Sequence, residues 1–156
     1  MIGLHQIDNA LAAAACANEL GVSPSLIKKG LEKTKTEKGR LQLLESDRFT
    51  ILDDSYNANP HSMKAAIDTL QSFSGEKIAV LGSMAELGTN SIELHQEIGK
   101  YASQARLDKL YTIGKDSKHY NGTLFSDIES LYNQLNKCHL GAVSYTHLTL
   151  PTILLV

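Results

Sequence analysis

A run of polar residues follows a short apolar strand in the first half of the chain. The predicted strand at 49–52 leads into DDSYNAN, and Pro60 then opens a predicted helix. In open α/β sheets ligands bind at the carboxyl ends of strands, so Asp54, Asn57 and Asn59 are candidate ligand contacts. A simpler alternative is that the loop only turns the chain and that Asn59 caps the helix. The adjacent aspartates lack further ligands nearby, so we expect no metal site.

A second polar loop, GSMAELG at 82–88, directly follows the apolar strand KIAVL at 77–81. Its glycines do not match the G-x-G-x-x-G pattern of dinucleotide-binding loops. Glu86 could form a polar pair with His95 and contact a ligand at the same edge of the sheet. The alternative is that both are ordinary solvated side chains.

Two shorter segments could contact a nucleotide. His5 and Asn9 lie at the start of an alanine-rich helix, where free N–H groups and the positive end of the helix dipole attract ligands. An asparagine amide can also pair with an adenine edge. Arg40 follows Gly39 and could hold phosphate or ribose oxygens. The alternatives are simple helix capping for the first segment and an ordinary surface position for Arg40.

The elements that must position these residues fall on either side of a charged linker at 33–39. Before it, the patterns at 7–20 and 24–34 predict two helices. After it, predicted strands at 49–52, 77–81 and 110–113 alternate with predicted helices at 60–73, 91–105 and 128–135. Strand–helix–strand order with short connections predicts an α/β fold with a doubly wound, mostly parallel sheet.

The composition excludes several classes of function. The 156 residues carry a formal net charge of -2, which does not fit non-specific nucleic-acid binding. Cys16 and Cys138 are too few for a disulfide framework or a zinc knuckle, and they fit a reducing compartment. The N-terminus lacks a signal-peptide pattern, and the apolar stretch at 10–17 is too short to cross a bilayer. We therefore expect a cytoplasmic protein that binds neither nucleic acid nor membranes.

The last residues, 143–156, differ from the rest of the chain. They are rich in threonine and leucine, carry no charge apart from His147, and include Pro151 among strand-forming residues. One interpretation is a final edge strand. We favour a non-native tail, appended to a truncated gene, that contributes nothing to the fold.

Taken together, the motifs resemble those of the Mur ligase family, which couples ATP cleavage to amide-bond formation in cell-wall synthesis. DDSYNANP at 53–60, and GSMAELG followed by Leu94-His95 and Ile98-Gly99, are most similar to the branch that attaches D-alanyl-D-alanine. The resemblance covers roughly residues 2–140.

This resemblance implies a domain arrangement, ligands and site residues. Residues 1–38 would end a central ATPase domain, and residues 39–142 would form a truncated, Rossmann-like C-terminal domain. The implied cofactors are ATP and Mg²⁺, and the implied substrates are UDP-N-acetylmuramoyl-tripeptide and D-alanyl-D-alanine, bound by a monomer. The resemblance assigns nucleotide binding to His5, Asn9, Arg40 and Asp54, and substrate binding to Asn57, Asn59, Glu86 and His95.

The sequence also departs from the family's pattern. Gln6 stands where asparagine is usual, and Ser83 stands where aspartate is usual. The chain contains no glycine-rich Lys-Ser/Thr phosphate loop, so we expect Met1 to be an internal start in a longer reading frame. We expect no catalytic residue in this chain and no activity from it alone. The alternative function is a non-catalytic α/β module that binds a nucleotide or a peptide.

Overall fold

The computed structural model describes residues 4–35, 37–45, 49–137 and 141–146, which form five helices, six strands and two short 3₁₀ turns. The helices are α1 (Leu4–Glu19), α2 (Pro24–Lys33), α3 (Pro60–Gln71), α4 (Ser91–Gln104) and α5 (Ile128–Leu135). The strands are β1 (Gln42–Glu45), β2 (Phe49–Asp54), β3 (Glu76–Gly82), β4 (Lys109–Ile113), β5 (Thr123–Phe125) and β6 (Gly141–Thr146). The 3₁₀ turns are Gly88–Asn90 and Ser117–Tyr120.

The six strands form one sheet in the order β1-β2-β6-β3-β4-β5. All neighbouring pairs are parallel except β1 and β2, which are antiparallel. This confirms the predicted α/β fold with a mostly parallel sheet. The pattern analysis missed β1 and β5, which have four and three residues and are too short to show a clear period.

The segment expected to contribute nothing to the fold includes part of a central strand. β6 lies between β2 and β3, and Val143 is in register with both Ile51 and Ile78. The expectation is therefore wrong for residues 143–146, and the alternative of an edge strand is wrong as well. The physical reason is that β2 and β3 are not neighbours, so their facing backbone groups require a strand between them. Residues 147–156 lie outside the described part, and the foreign origin of 143–156 stays a prediction.

Helices cover both faces of the sheet, as the doubly wound prediction requires. Alternate residues of β3 point to opposite sides, with Ala79 and Leu81 in one core cluster and Ile78 and Val80 in the other. The first cluster is closed by apolar residues of α3, α4 and the second 3₁₀ turn: Met63, Ile67, Leu70, Ile98, Ala102 and Tyr120. The second is closed by Leu131 and Leu135 of α5.

Helices α1 and α2 confirm the two helices predicted before the linker. Gly21, with a φ of 81°, lies in the turn between them, and Pro24 begins α2. These helices bury little apolar surface. Helix α2 has no buried residue, Leu11 of α1 is 62% exposed, and Leu20, which directly follows α1, is 84% exposed. Within the described ranges, no helix combines the length and apolar character needed to cross a membrane.

Candidate functional site

The polar loops singled out in the sequence follow parallel strands of the sheet. β2 ends at Asp54 and β3 ends at Gly82, and each is succeeded by one of the two polar loops. Because β2 and β3 both run parallel to β6, their carboxyl ends lie at the same edge. This is the edge where open α/β sheets bind ligands.

Residues Gly39–Leu41, at the end of the linker, are hydrogen-bonded to Asp54–Tyr56 at the end of β2, an arrangement we call the linker clasp. The backbone N–H of Tyr56 donates to the carbonyl oxygen of Gly39 at 2.9 Å. The backbone N–H of Leu41 donates to the Asp54 carboxylate oxygen Oδ1 at 3.1 Å. Residues 39–41 and 54–56 are thus held side by side, which brings Arg40 and Asp54 into the same site.

Two backbone conformations make the linker clasp possible. Gly39 has a φ of 72°, and a Cβ placed there would lie 2.9 Å from the Tyr56 nitrogen, so only glycine permits this approach. Leu41 has a φ of 51°, which is a strained conformation for leucine. Burial of the Leu41 side chain, which is 2% exposed, and the N–H bond to Asp54 offset that strain.

The Asp54 carboxyl has unusual electrostatics for an aspartate. Its pKa is raised from 3.8 to about 7 as the net result of four effects: burial raises it, the hydrogen bond from Leu41 lowers it, the charge of Asp53 raises it and the charge of Arg40 lowers it. Burial is the largest of these effects because it disfavours the charged form. A carboxyl with a pKa near neutrality can gain or lose its proton when a charged ligand arrives.

Arg40 lines an open cleft of about 530 Å³ together with Glu37, Lys38, Gly39, Ser55 and Tyr56. The guanidinium carbon Cζ of Arg40 lies 4.1 Å from the centroid of the Tyr56 ring, which is a cation–π contact. The two cations outnumber the single carboxylate of Glu37, and together with the Ser55 hydroxyl they suit an anionic ligand.

The two asparagines of the first loop have local hydrogen bonds. Asn59 caps α3: its side chain accepts from the Ser62 N–H at 2.9 Å, and the Ser62 hydroxyl accepts from the Asn59 N–H at 3.1 Å. The capping alternative is therefore confirmed for Asn59. The Asn57 side chain accepts from the Ala58 N–H at 2.8 Å and is otherwise on the exposed side of the loop. Neither bond excludes a ligand, since each asparagine also carries two amide N–H donors.

The structure corrects the expected pair of Glu86 and His95. His95 is fully buried, its Nε2 accepts from the Met84 N–H at 3.0 Å, and its Nδ1 lies 2.6 Å from the Ser91 carbonyl oxygen. Both ring nitrogens therefore bond to backbone, which requires the neutral tautomer with the proton on Nδ1. Glu86 is exposed, with a φ of 60°. The pairing prediction is wrong because burial turns His95 inward, where it secures the loop to α4.

Two residues that the sequence analysis did not assign also hold this edge. The Tyr120 hydroxyl donates to the Gly82 carbonyl oxygen at 2.8 Å, and its ring centroid lies 4.9 Å from that of His95. The Asp116 N–H donates to the Ser83 hydroxyl at 3.1 Å, which ties the loop after β4 to the loop after β3. No local pattern marks Tyr120 or Asp116, because their partners are more than thirty residues away in the chain.

The candidate residues of α1 are less informative. Asn9 is exposed on the helix, and the side chain of His5 lies outside what the structure describes. Across the described residues, no group of three or more His, Cys, Asp and Glu side chains is arranged to hold a metal ion.

The fold and the site define an α/β domain with a ligand-binding edge at the carboxyl ends of its strands. Residues 39–143 match the family described as the Mur ligase, glutamate ligase domain, and the chain belongs to this family. The match covers the sheet from β1 into β6 and includes the linker clasp, both polar loops and the cleft residues other than Glu37 and Lys38.

Several related proteins have names that specify a reaction. The UDP-N-acetylmuramoyl-tripeptide–D-alanyl-D-alanine ligase of Escherichia coli is 40% identical over 141 residues, which are 85% of this chain and 31% of that protein. The Haemophilus influenzae ligase of the same name is 40% identical over 117 residues, covering 74% of this chain and 26% of its own. This chain therefore spans about a third or less of the length of these relatives.

Solved structures show the same relationship. A crystal structure of MurF from Acinetobacter baumannii superposes with a TM-score of 0.85 at 32% identity, covering 93% of this chain and 34% of that one. MurF ligase from Thermotoga maritima, solved in complex with ADP, gives a TM-score of 0.83 at 27% identity. The superposition covers 93% of this chain and 35% of the Thermotoga chain. The similarity thus extends through most of the chain, including residues outside the family match.

Proposed function

We propose that this chain is the C-terminal part of an ATP-dependent ligase that adds D-alanyl-D-alanine to UDP-N-acetylmuramoyl-tripeptide. The observation that carries the proposal is the linker clasp, which brings Arg40 and Asp54 together beside a cleft with cationic side chains. The names of the relatives, which specify this reaction, support it.

In the proposed reaction, ATP transfers its γ-phosphoryl group to the terminal carboxylate of the tripeptide, which gives an acyl phosphate and ADP. The amine of D-alanyl-D-alanine then attacks the acyl carbon, phosphate leaves, and an amide forms with loss of the amine proton. Such a sequence requires stabilisation of developing negative charge and exclusion of water. Mg²⁺ would offset phosphate charge. Among the residues that the structure describes, no group of three or more His, Cys, Asp and Glu side chains could hold this ion.

The described residues would have distinct roles in this reaction. Arg40 would bind phosphate oxygens, and Asp54 would accept hydrogen bonds from ribose hydroxyls, while His5 and Asn9 would lie near the adenine. Asn57, Asn59 and Glu86 would line the substrate side of the same edge. His95 would act indirectly, because its bonds to Met84 and Ser91 secure the loop that carries Glu86.

The first test is the DNA upstream of Met1. A glycine-rich Lys-Ser/Thr phosphate loop in the same frame would support the ligase, because this motif cradles the triphosphate. Its absence, together with no ligation by the product of the whole reading frame, would contradict the proposal. That result would favour a non-catalytic module that binds a nucleotide or a peptide.

The second test measures the nucleotide role in the full-length protein. Arg40→Ala and Asp54→Asn should each cost about 1.5–3 kcal/mol of ATP binding, the range for hydrogen bonds to charged partners. The loss should appear mainly as a higher KM for ATP, with little change in KM for D-alanyl-D-alanine. Arg106→Ala, which removes an exposed arginine elsewhere, is the matched control. Wild-type kinetics in folded Arg40 and Asp54 variants would reject these assignments.

We further propose that the full-length protein is a cytoplasmic monomer. Both substrates of the named relatives would have to be accessible to one active site that closes over ATP. Sedimentation of the purified full-length protein would test the monomer, and cell fractionation would test the compartment.

A further inference from the structure

Tyr56 provides an aromatic surface for Arg40 at the cleft. The Arg40 guanidinium lies over the Tyr56 ring, with its carbon 4.1 Å from the ring centroid. A guanidinium in such a contact uses its face, while its N–H donors lie in its plane and remain available. We propose that Tyr56 is a positioning residue that holds Arg40 ready for the polyphosphate of a nucleotide, an inference that rests on the proposed nucleotide role of Arg40.

The backbone fixes the ring relative to the arginine. Tyr56 donates its N–H to the carbonyl oxygen of Gly39, the residue directly before Arg40, at 2.9 Å. The close approach depends on Gly39, where a Cβ would lie 2.9 Å from the Tyr56 nitrogen and 3.2 Å from the Ser55 hydroxyl oxygen. The ring and the guanidinium are therefore brought together by a backbone hydrogen bond between Tyr56 and the residue that precedes Arg40.

The position of Arg40 matters because its long side chain would otherwise sample many rotamers. Ordering such a side chain on binding has an entropic cost, and a preformed contact reduces it. Tyr56 is 62% exposed, so it can hold the guanidinium at the surface without removing it from solvent. Lys38 and Glu37 line the same cleft with opposite charges, so Arg40 supplies the excess positive charge for an anionic ligand.

The test uses the 156-residue chain, isotopically labelled, with inorganic tripolyphosphate as the probe. Tyr56→Phe keeps the ring and Tyr56→Leu removes it, while both keep the backbone N–H. Ring-current shifts of the Arg40 side-chain protons should be present in the wild type and in Tyr56→Phe, and absent in Tyr56→Leu. Tyr56→Leu should weaken tripolyphosphate binding about two- to fivefold, as expected for an exposed cation–π contact, and Tyr56→Phe should bind like the wild type.

A double-mutant cycle with Arg40→Ala separates positioning from direct binding. If Tyr56 acts through Arg40, Tyr56→Leu should have no further effect once Arg40 is alanine. The inference is overturned if the wild type shows no ring-current shift or no saturable binding, or if Tyr56→Leu weakens binding equally in the Arg40→Ala background. Because the probe is inorganic, the result does not depend on ligation. A full-length protein without ligase activity would refute the proposed function and leave the positioning result standing.

Discussion

Asp54 gives the chain a specific dependence of stability on pH. Its pKa of about 7 in the folded protein exceeds the ordinary value of 3.8, chiefly because of burial. The unfolded chain therefore releases this proton at a lower pH than the folded chain. The contribution of Asp54 to the free energy of unfolding is fully present below about pH 4 and is lost as the pH rises to about 7. Above about pH 7 the contribution does not change further.

The magnitude follows from the shift. A difference of about three pKa units corresponds to about 4 kcal/mol at about 1.4 kcal/mol per unit, which is an upper bound for a fully buried group. Asp54 is only partly buried, and solvent screening reduces the effect, so we expect about 1–2 kcal/mol. Asp54→Asn is neutral at every pH, and its side-chain oxygen can still accept the Leu41 N–H. The variant should be more stable than the wild type above about pH 7 by this amount, with the difference vanishing near about pH 4.

The assay is denaturant unfolding of the 156-residue chain at several pH values between about 4 and 8. Asp8→Asn, which changes an exposed carboxylate on α1 in the same way, is the matched control and should show no comparable pH-dependent gain. The reasoning is refuted if Asp54→Asn is less stable than the wild type at about pH 8. A stabilisation that is the same at every pH would also refute it, because proton linkage could not then be its cause.

Three further outcomes are expected. A chain that ends after Ala142 should have a free energy of unfolding about 2–6 kcal/mol lower than a chain that ends after Thr146. The shorter chain lacks several hydrogen bonds from β6 to β2 and β3, at about 0.5–1.5 kcal/mol each. Equal unfolding midpoints for the two truncations would contradict this. His95→Ala should lower the free energy of unfolding by about 2–4 kcal/mol and speed amide hydrogen exchange at Met84, because it leaves a cavity and a Met84 N–H without its partner. Unchanged exchange at Met84 would argue against it. The 156-residue chain alone should hydrolyse no ATP, since its sequence has no phosphate loop; Mg²⁺-dependent phosphate release above a matched blank would show otherwise.

Local patterns in the sequence determined most of the secondary structure. The apolar run at 77–81 predicts β3, and Asn59 followed by Pro60 predicts the start of α3, because strand formation and helix capping depend on neighbouring residues. The predicted helix at 128–135 has the bounds of α5. The polar loops after β2 and β3 were also evident from the sequence, since a buried strand followed by polar residues requires no knowledge of the tertiary fold.

The tertiary structure decided which of these residues meet. The sequence alone did not show that Tyr56 would lie against Arg40, that Leu41 would bond to Asp54, or that His95 would turn away from Glu86. It also suggested that residues 143–156 stand apart, although residues 143–146 pair with strands far earlier in the chain. Each of these outcomes depends on contacts between distant segments or on burial. Local composition determines which element a segment forms, whereas strand order and burial determine which partners its polar groups find.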